Sequence, residues 1–331
     1  LRLKTAQKIK SYLDLSNKNR LAIGLYKEGR LYIFGDLAEE GSLFYDIGSV
    51  SKTITAHLIL KLHQNKNLDI YKTVDNYLPL KKGKYPTIYQ LLTHTAGYHH
   101  LTPIEVTLLP LAAHGYARKN PYQNCSAKTI VKSLERRRFF KPKERYGYSD
   151  FASAILAVIA ETVTKKPFPI LFEEFIKNDL NMVNTVLFPD TQSRTPPAVK
   201  GQKVLPFWVW KSNNPYIAGG GVTSNIEDVL RYIALQIESE QPYITAAHTI
   251  CEMSKLKNDN HLMCIGWHTY KRSNQIWHVG GVGTFRTSVI INKKLKIGVA
   301  VLGNAKGRAS ANAHYIAKML YSELKNKRIR L

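Results

Sequence analysis

The feature of this chain that most constrains its fold is a run of short apolar segments toward its C-terminal end. The four segments HLMCIGWHTY, NQIWHVGG, GTFRTSVIIN and LKIGVAVLGN follow one another within residues 261–304. They are rich in β-branched and aromatic residues, and glycine, asparagine or charged residues separate them, which is typical of strands joined by short turns. The run therefore predicts an antiparallel meander.

The opposite end of the chain carries a second strand pattern. The segment LAIGLYKEGRLYIFGD has two apolar runs around a Lys-Glu-Gly turn and predicts a β-hairpin over residues 21–36. In TSNIEDVLRYIALQI, a capping box of Ser224 and Glu227 predicts a helix start. Further helices are predicted over residues 129–137, 151–164, 170–180 and 309–324.

Strands at both ends of the chain with helices between them favour an α/β (α+β) fold. We expect an antiparallel sheet flanked by N- and C-terminal helices, the first being a basic amphipathic helix over residues 1–20, with an all-helical lobe inserted. The 331 residues then form a single domain. Its α/β lobe combines residues 1–60 and 200–331, its mostly helical lobe covers residues 61–199, and the cleft between them is the expected site.

The composition limits the partners that this chain is expected to have. It has 48 Lys and Arg against 24 Asp and Glu, a formal net charge of +24. Such a surface attracts anionic polymers and lipid headgroups, but the basic residues are scattered and no nucleic-acid-binding signature is present. We therefore expect a solvated basic surface with at most weak attraction to anionic surfaces, and no specific nucleic acid partner.

Cysteine spacing and apolar runs exclude other classes. The three cysteines show no CxxC spacing, which indicates neither a disulfide framework nor a zinc site. We expect no metal and no cofactor. The longest apolar run, FASAILAVIA, is shorter than the ~20 residues of a membrane-spanning helix, and no signal peptide is evident.

A serine followed three residues later by a lysine is the first candidate for chemistry. This pattern occurs at Ser49/Lys52, Ser254/Lys257 and Ser322/Lys325. Only the first leads into an apolar stretch, ITAHLILKL, which would bury the lysine. Residues i and i+3 share a helix face, and a desolvated lysine has a lowered pKa, so Lys52 could accept a proton from Ser49. On this tetrapeptide alone, a serine that caps a helix is the simpler interpretation.

Two segments downstream complete a site for acyl transfer. RYGYSDFASAIL offers Tyr148 in a loop before a helix, as a second proton carrier. WHVGGVGTF places His278 on a strand, and Gly280 and Gly281 allow a substrate to approach the backbone closely. The N–H groups of Gly281 and Ser49 could together form an oxyanion hole.

Together the three segments resemble the signatures of the serine β-lactamase and penicillin-binding protein superfamily, most closely its class C-like branch. Its S-x-x-K, Y-x-N and K/H-x-G motifs appear here as Ser49-Val-Ser-Lys52, Tyr148-Ser-Asp150 and His278-Val-Gly280. The stretches TIYQLLTHTAGY, YIAGGGVTSNIEDVLRYI and IGVAVLGN are similar to other parts of that family. The branch includes class C β-lactamases, R61-type DD-peptidases, D-aminopeptidases and carboxylesterases.

This sequence departs from the family pattern at two positions. Asp150 replaces the family asparagine, and an ionised aspartate accepts hydrogen bonds but donates none; it would also keep Lys52 charged. His278 replaces the lysine typical of β-lactamases, which points to DD-peptidases and esterases. Alternative alignments would use Ser149 with Phe151, or Tyr146 in place of Tyr148. Arg286 could supply a charge for a substrate carboxylate, although a solvated strand arginine is the simpler interpretation.

The resemblance implies a serine hydrolase acting by an acyl-enzyme on amide or ester substrates. Ser49 would be the nucleophile and Lys52 its base, Tyr148 would carry a proton to the leaving group, and Asp150, His278, Gly280 and Gly281 would contact the substrate. The implied activity is that of a D-alanyl-D-alanine carboxypeptidase, a penicillin-binding protein or a β-lactamase, on a peptidoglycan stem peptide or a β-lactam, in a periplasmic or other extracytoplasmic location. A carboxylesterase, or a non-catalytic β-lactam sensor in view of Asp150, stays open.

Overall fold

The computed structural model describes most of the chain. The described residues are 20–35, 43–98, 120–139, 142, 146–188, 207–251, 260–304 and 312–326. The helix expected over residues 1–20 lies outside this part, apart from Arg20, which begins a strand.

A large antiparallel sheet dominates the described chain, and both predicted strand patterns contribute to it. Its eight strands stand in the order β2-β1-β10-β9-β8-β7-β6-β5. They are β1 (Arg20–Lys27), β2 (Arg30–Gly35), β5 (Ile250–Cys251), β6 (His261–Cys264), β7 (His268–Tyr270), β8 (Gln275–Val282), β9 (Phe285–Asn292) and β10 (Ile297–Asn304). The hairpin and the meander are therefore confirmed. They join where β1 pairs with β10, from Arg20↔Asn304 to Lys27↔Ile297.

In the described part of the chain, helices lie between the two strand groups, and one more follows the last strand. They are α1 (Ser51–Gln64), α2 (Ile88–Leu92), α3 (Ala127–Arg137), α4 (Asp150–Thr164), α5 (Phe168–Glu174), α6 (Ile217–Gly220), α7 (Ile226–Glu238), α8 (Pro242–Ala246) and α9 (Asn312–Lys325). A small second sheet pairs β3 (Tyr45–Asp46) with β4 (Thr223–Ser224). The mixed fold class with its large antiparallel sheet is confirmed, whereas the division into two lobes stays a prediction.

One local expectation was wrong, and another is confirmed with a change of helix type. The N-cap of α7 is Asn225, whose side chain accepts from the backbone N–H of Asp228, while Ser224 belongs to β4. Asparagine caps as well as serine does, and Ser224 pairs with Tyr45 instead. The helix predicted over residues 170–180 is confirmed, with α5 continued by a π-helical turn, Phe175–Asp179.

The main sheet lies between helices α9 and α7. Successive residues of a strand point to opposite faces of the sheet, so the residues of β1 show which helix covers each face. Leu21, Ile23 and Leu25 of β1 share an apolar cluster with residues of α9. Gly24 points the other way, and a Cβ atom there would lie 2.7 Å from Leu230 of α7. A side chain at this position would therefore push α7 off the sheet, which explains the glycine.

Helix α1 runs through the interior of the protein. Apart from its last turn it is buried on all sides, including its polar residues Ser51, Lys52 and His57, and it packs against α4, α6 and α8. A helix surrounded in this way positions the residues at its start rigidly. None of the helices in the described part of the chain is long and apolar enough to cross a membrane.

Candidate active site

Ser49 lies in a tight turn directly before α1. It is the middle residue of the 3-10 turn Gly48–Val50, and it does not cap α1, because the N-cap is Val50 and no side chain accepts a capping hydrogen bond there. Gly48 has a φ of +53°, in the left-handed region that favours glycine. The turn therefore presents the Ser49 side chain instead of using it in the helix.

The turn packs backbone against backbone on strand β8. A Cβ atom on Gly48 would lie 2.6 Å from the nitrogen of Gly281, and one on Gly280 would lie 1.9 Å from the carbonyl oxygen of Ile47 and 3.2 Å from the nitrogen of Ser49. Only glycines permit this approach. The predicted oxyanion-hole residues, Ser49 and Gly281, are thereby brought together.

The ammonium group of Lys52 connects three parts of the site. Its Nζ donates to Ser49 Oγ at 3.0 Å and to the carbonyl oxygen of Gly219 at 2.7 Å, and it forms an ion pair with Asp150 Oδ1 at 2.6 Å. Lys52 is 4% exposed. The buried ammonium group, which has three N–H donors, is thus surrounded by polar partners.

Electrostatics favours the charged form of Lys52. Burial lowers the pKa of Lys52, but the negative charge of Asp150, together with Tyr148, outweighs burial and raises this pKa above its ordinary value. The sequence pattern alone indicated a lowered pKa from desolvation. Asp150 in the third position of the Tyr148 motif was instead expected to keep Lys52 charged, and the direct contact of its carboxylate with the ammonium group agrees with this.

Tyr148 completes a three-membered cluster with Ser49 and Lys52. Its hydroxyl is hydrogen-bonded to both, and the Lys52 Nζ lies 5.1 Å from the centre of its ring. Burial raises the pKa of Tyr148, while the charge of Lys52 lowers it, so the phenol is neutral at rest. Tyr146 was the alternative to Tyr148 in the sequence. Its ring centroid lies 6.5 Å from that of His94 and 6.1 Å from that of His261.

Asp150 is the first residue of α4, where Ser149 is the N-cap and accepts from the N–H of Ala152 at 3.2 Å. Phe151 is fully buried in the core. Ser149 and Phe151 thus have structural roles, and neither takes the place of the motif residues. Besides the contact with Lys52, Asp150 accepts a hydrogen bond at Oδ2 from the hydroxyl of Tyr122 at 2.5 Å.

Tyr122 is a site residue that sequence reasoning missed. Its N–H donates to Asn120 Oδ1 at 2.9 Å, and its carbonyl accepts from Asn214 Nδ2 at 2.6 Å. Its ring stacks on Tyr216 with 4.3 Å between centroids. Because Tyr122 contacts Asp150 across 28 positions of sequence, no local pattern could have revealed it.

His278 extends from β8 toward Tyr148, with 6.2 Å between the ring centroids. Its Nδ1 lies 2.8 Å from the carbonyl oxygen of Val279, so this nitrogen carries the proton and Nε2 is an acceptor. Burial and the charge of Lys52 lower the pKa of His278 to about 3. The imidazole is therefore neutral at physiological pH.

Two more histidines that sequence reasoning did not select lie behind His278. The ring of His268 on β7 is 5.0 Å from that of His278, and His268 Nδ1 lies 2.8 Å from His261 Nε2. Burial lowers the pKa of His268 well below its usual range. Within the described ranges no group of three or more His, Cys, Asp or Glu side chains is arranged to hold a metal ion.

Arg286 lies beside Gly281 on the neighbouring strand. A Cβ atom on Gly281 would lie 3.5 Å from the Arg286 side chain, and the guanidinium donates to the carbonyl oxygens of Gly283 and Phe285 at 3.0 and 2.7 Å. These contacts fix its position next to the oxyanion-hole residue.

Known proteins resemble this chain in sequence. Residues 20–321 match the family model described as Beta-lactamase. The chain is 24% identical over 297 residues to the protein flp of Staphylococcus aureus, covering 83% of this chain and 54% of that protein. The chain thus spans about half the length of the curated relatives that it matches.

Solved structures share the fold. A penicillin-binding protein homologue from Pyrococcus abyssi superposes with a TM-score of 0.75 at 21% identity, over 98% of this chain and 77% of that one. A β-lactamase/D-alanine carboxypeptidase from Yersinia pestis superposes with a TM-score of 0.75 at 16% identity, over 97% of this chain and 99% of that one.

Proposed function

Because the chain belongs to the β-lactamase family, we propose that it is a serine hydrolase that forms an acyl-enzyme on amide or ester substrates. The observation that carries this proposal is the contact of Lys52 Nζ with Ser49 Oγ at 3.0 Å, with Tyr148 hydrogen-bonded to both. A nucleophile in contact with two proton carriers, in a turn that packs against the backbone of Gly280 and Gly281, supports acyl transfer.

The proposed reaction uses these groups in sequence. Ser49 Oγ attacks the substrate carbonyl, and Lys52 in its neutral form takes the Ser49 proton. The N–H groups of Ser49 and Gly281 stabilise the oxyanion. Tyr148 gives its proton to the leaving group and regains one from Lys52, and water then cleaves the ester with the same groups. Because the pKa of Lys52 is raised, acylation is expected to accelerate as the pH rises above neutral.

We propose that the substrate is a D-alanyl-D-alanine stem peptide or a β-lactam and that the protein acts in the periplasm or another extracytoplasmic compartment. The neutral His278 supports a peptidase or esterase more than a lysine-dependent β-lactamase. A carboxylesterase is the second candidate, because an ionised Asp150 offers a substrate amide no hydrogen-bond donor. The ion pair of Asp150 with Lys52 also supports a third candidate, a β-lactam sensor that is acylated without turnover.

A substrate panel with the purified chain distinguishes these candidates. The panel contains nitrocefin, short nitrophenyl esters and D-Ala-D-Ala peptides, together with fluorescent penicillin and a fluorophosphonate as covalent probes. Labelling and peptide hydrolysis support the peptidase, and ester turnover alone supports the esterase. Penicillin labelling without turnover supports the sensor. Absence of labelling and of hydrolysis across the whole panel would contradict the acyl-enzyme proposal.

Adjacent glycines on β8 provide a matched test of the oxyanion hole. Gly280→Ala is expected to slow fluorophosphonate labelling by at least ~100-fold, as loss of an oxyanion donor does, because its Cβ would lie 1.9 Å from the Ile47 carbonyl oxygen and would separate β8 from the Ser49 turn. Gly281→Ala should label almost normally, since its Cβ meets Arg286 only at 3.5 Å. Thermal melting of both variants checks that each is folded. Equal labelling of the two variants would contradict the assignment.

A further inference from the structure

Helix α3 presents a row of cations on the side that faces away from the core. Its buried residues are Ile130, Ser133 and Leu134. Lys128, Lys132 and Arg136 follow one another at intervals of four, which places them on one face of the helix, and all three are exposed. At 1.5 Å per residue the row is about 12 Å long.

The loop at residues 81–84 extends this row. The N–H of Lys84 donates to the carbonyl oxygen of Arg138 at 2.7 Å, so the loop lies against the C-terminal end of α3. Lys81, Lys82 and Lys84 are all exposed. We call the six exposed cations the basic face; its members are Lys81, Lys82, Lys84, Lys128, Lys132 and Arg136.

The charge of the basic face is not neutralised locally. No carboxylate of the described chain lies within ion-pair distance of these six side chains. The nearest acid on the helix, Glu135, accepts a backbone N–H from Lys81 at 3.3 Å. Burial raises the pKa of Tyr85, and the negative charges of Glu135 and of a second acid, Asp75, raise it further. The six cations thus outnumber the acids around them.

An exposed aromatic side chain lies at the end of the same helix. Phe139 is 70% exposed, and the Arg138 guanidinium lies 4.2 Å from its ring centre. A soluble polyanion offers no apolar layer for such a ring. The boundary between lipid headgroups and acyl chains offers both negative charge and apolar surface, and proteins that bind there use basic residues with Phe or Trp beside them.

We propose that the basic face binds the headgroups of anionic lipids, with Phe139 entering the interface. Arg137, on the inner side of α3, lies over the ring of Phe151 in α4, and α4 begins with Asp150. Binding through the outer side of α3 therefore leaves Ser49 and its partners uncovered. The proposal does not depend on the hydrolase activity.

Vesicle co-sedimentation of the full chain tests this proposal. Phosphatidylcholine vesicles should leave the protein in solution, and vesicles that also contain phosphatidylglycerol should sediment it, less so as salt increases. Replacing Lys128, Lys132 and Arg136 together by glutamine should weaken this binding about fivefold per cation, on the order of 100-fold in total. Glutamine preserves helix propensity, and circular dichroism verifies the fold.

A matched control removes the same charge elsewhere. Lys271, Lys294 and Lys325 are exposed and lie outside the basic face, so their joint replacement by glutamine should change binding only about twofold. Phe139→Ser should weaken vesicle binding and leave polyphosphate binding unchanged. Equal losses in the two triple variants would overturn the assignment of the surface. Polyphosphate binding as tight as vesicle binding, with no effect of Phe139→Ser, would overturn the lipid as partner.

Discussion

Replacing Ser49 with alanine is expected to abolish covalent labelling by a fluorophosphonate or fluorescent penicillin. Hydrolysis should fall by about 10⁶-fold, as it does when the nucleophile of a serine protease is removed. The reason is geometric, because Ser49 Oγ is the hydroxyl that Lys52 Nζ contacts at 3.0 Å and that Tyr148 also reaches. Gel fluorescence after incubation with the probe measures labelling directly.

The chain provides its own control for this experiment. Ser322 also precedes a lysine by three positions, but it is exposed near the end of α9, so Ser322→Ala should label like the parent protein. Folding of Ser49→Ala is checked by its melting temperature. If the folded Ser49→Ala variant were labelled at the parental rate, another residue would be the nucleophile. The proposed function would then lose its basis.

Replacing Asp150 with asparagine is expected to shift the pH dependence of acylation to lower pH. Lys52 must lose its proton to act as the base, so the rate rises as the pH passes the pKa of Lys52. In the parent protein Asp150 raises that pKa, and without its charge the remaining burial lowers it. We expect the midpoint to move to lower pH, with a rate at neutral pH that is at least roughly tenfold faster.

Measurement of the labelling rate from neutral to alkaline pH checks this shift. Asp179→Asn is the control, because it removes the partner of Lys61 in a half-exposed ion pair away from Ser49 and should leave the profile unchanged. If Asp150→Asn instead lost activity at every pH without any shift, Asp150 would act by contacting the substrate, and its role in setting the charge of Lys52 would be rejected.

Much of the fold was predictable because its signals are local. The hairpin, the meander and helices α3, α4 and α9 follow from apolar periodicity and turn residues that lie next to one another in sequence. The predicted N-cap of α7 was wrong because two neighbouring residues could each cap this helix. Ser224 and Asn225 are both good caps, and the pairing of Ser224 with Tyr45 across the small sheet decided between them.

The candidate site was predictable only in part. The order of Ser49, Lys52, Tyr148 and His278 along the chain was enough to select them, since each stands in a short recognisable motif. Tyr122 was missed, because its turn carries no such motif and its contact with Asp150 arises from packing. The position of His268 behind His278 follows from the pairing of β7 with β8, which only the folded sheet establishes.

By itself, the sequence determined the hairpin, the meander, the longer helices, the fold class and the residue types available for acyl transfer, because these depend on neighbours along the chain. Only the tertiary structure decided how burial and the charge of Asp150 balance at Lys52. Its burial and its contacts with Asp150 and with the carbonyl oxygen of Gly219, 167 positions away, come from helices that are remote in sequence. A pKa depends on distance and burial in space, so this balance was determined when α1, α4 and α6 packed together.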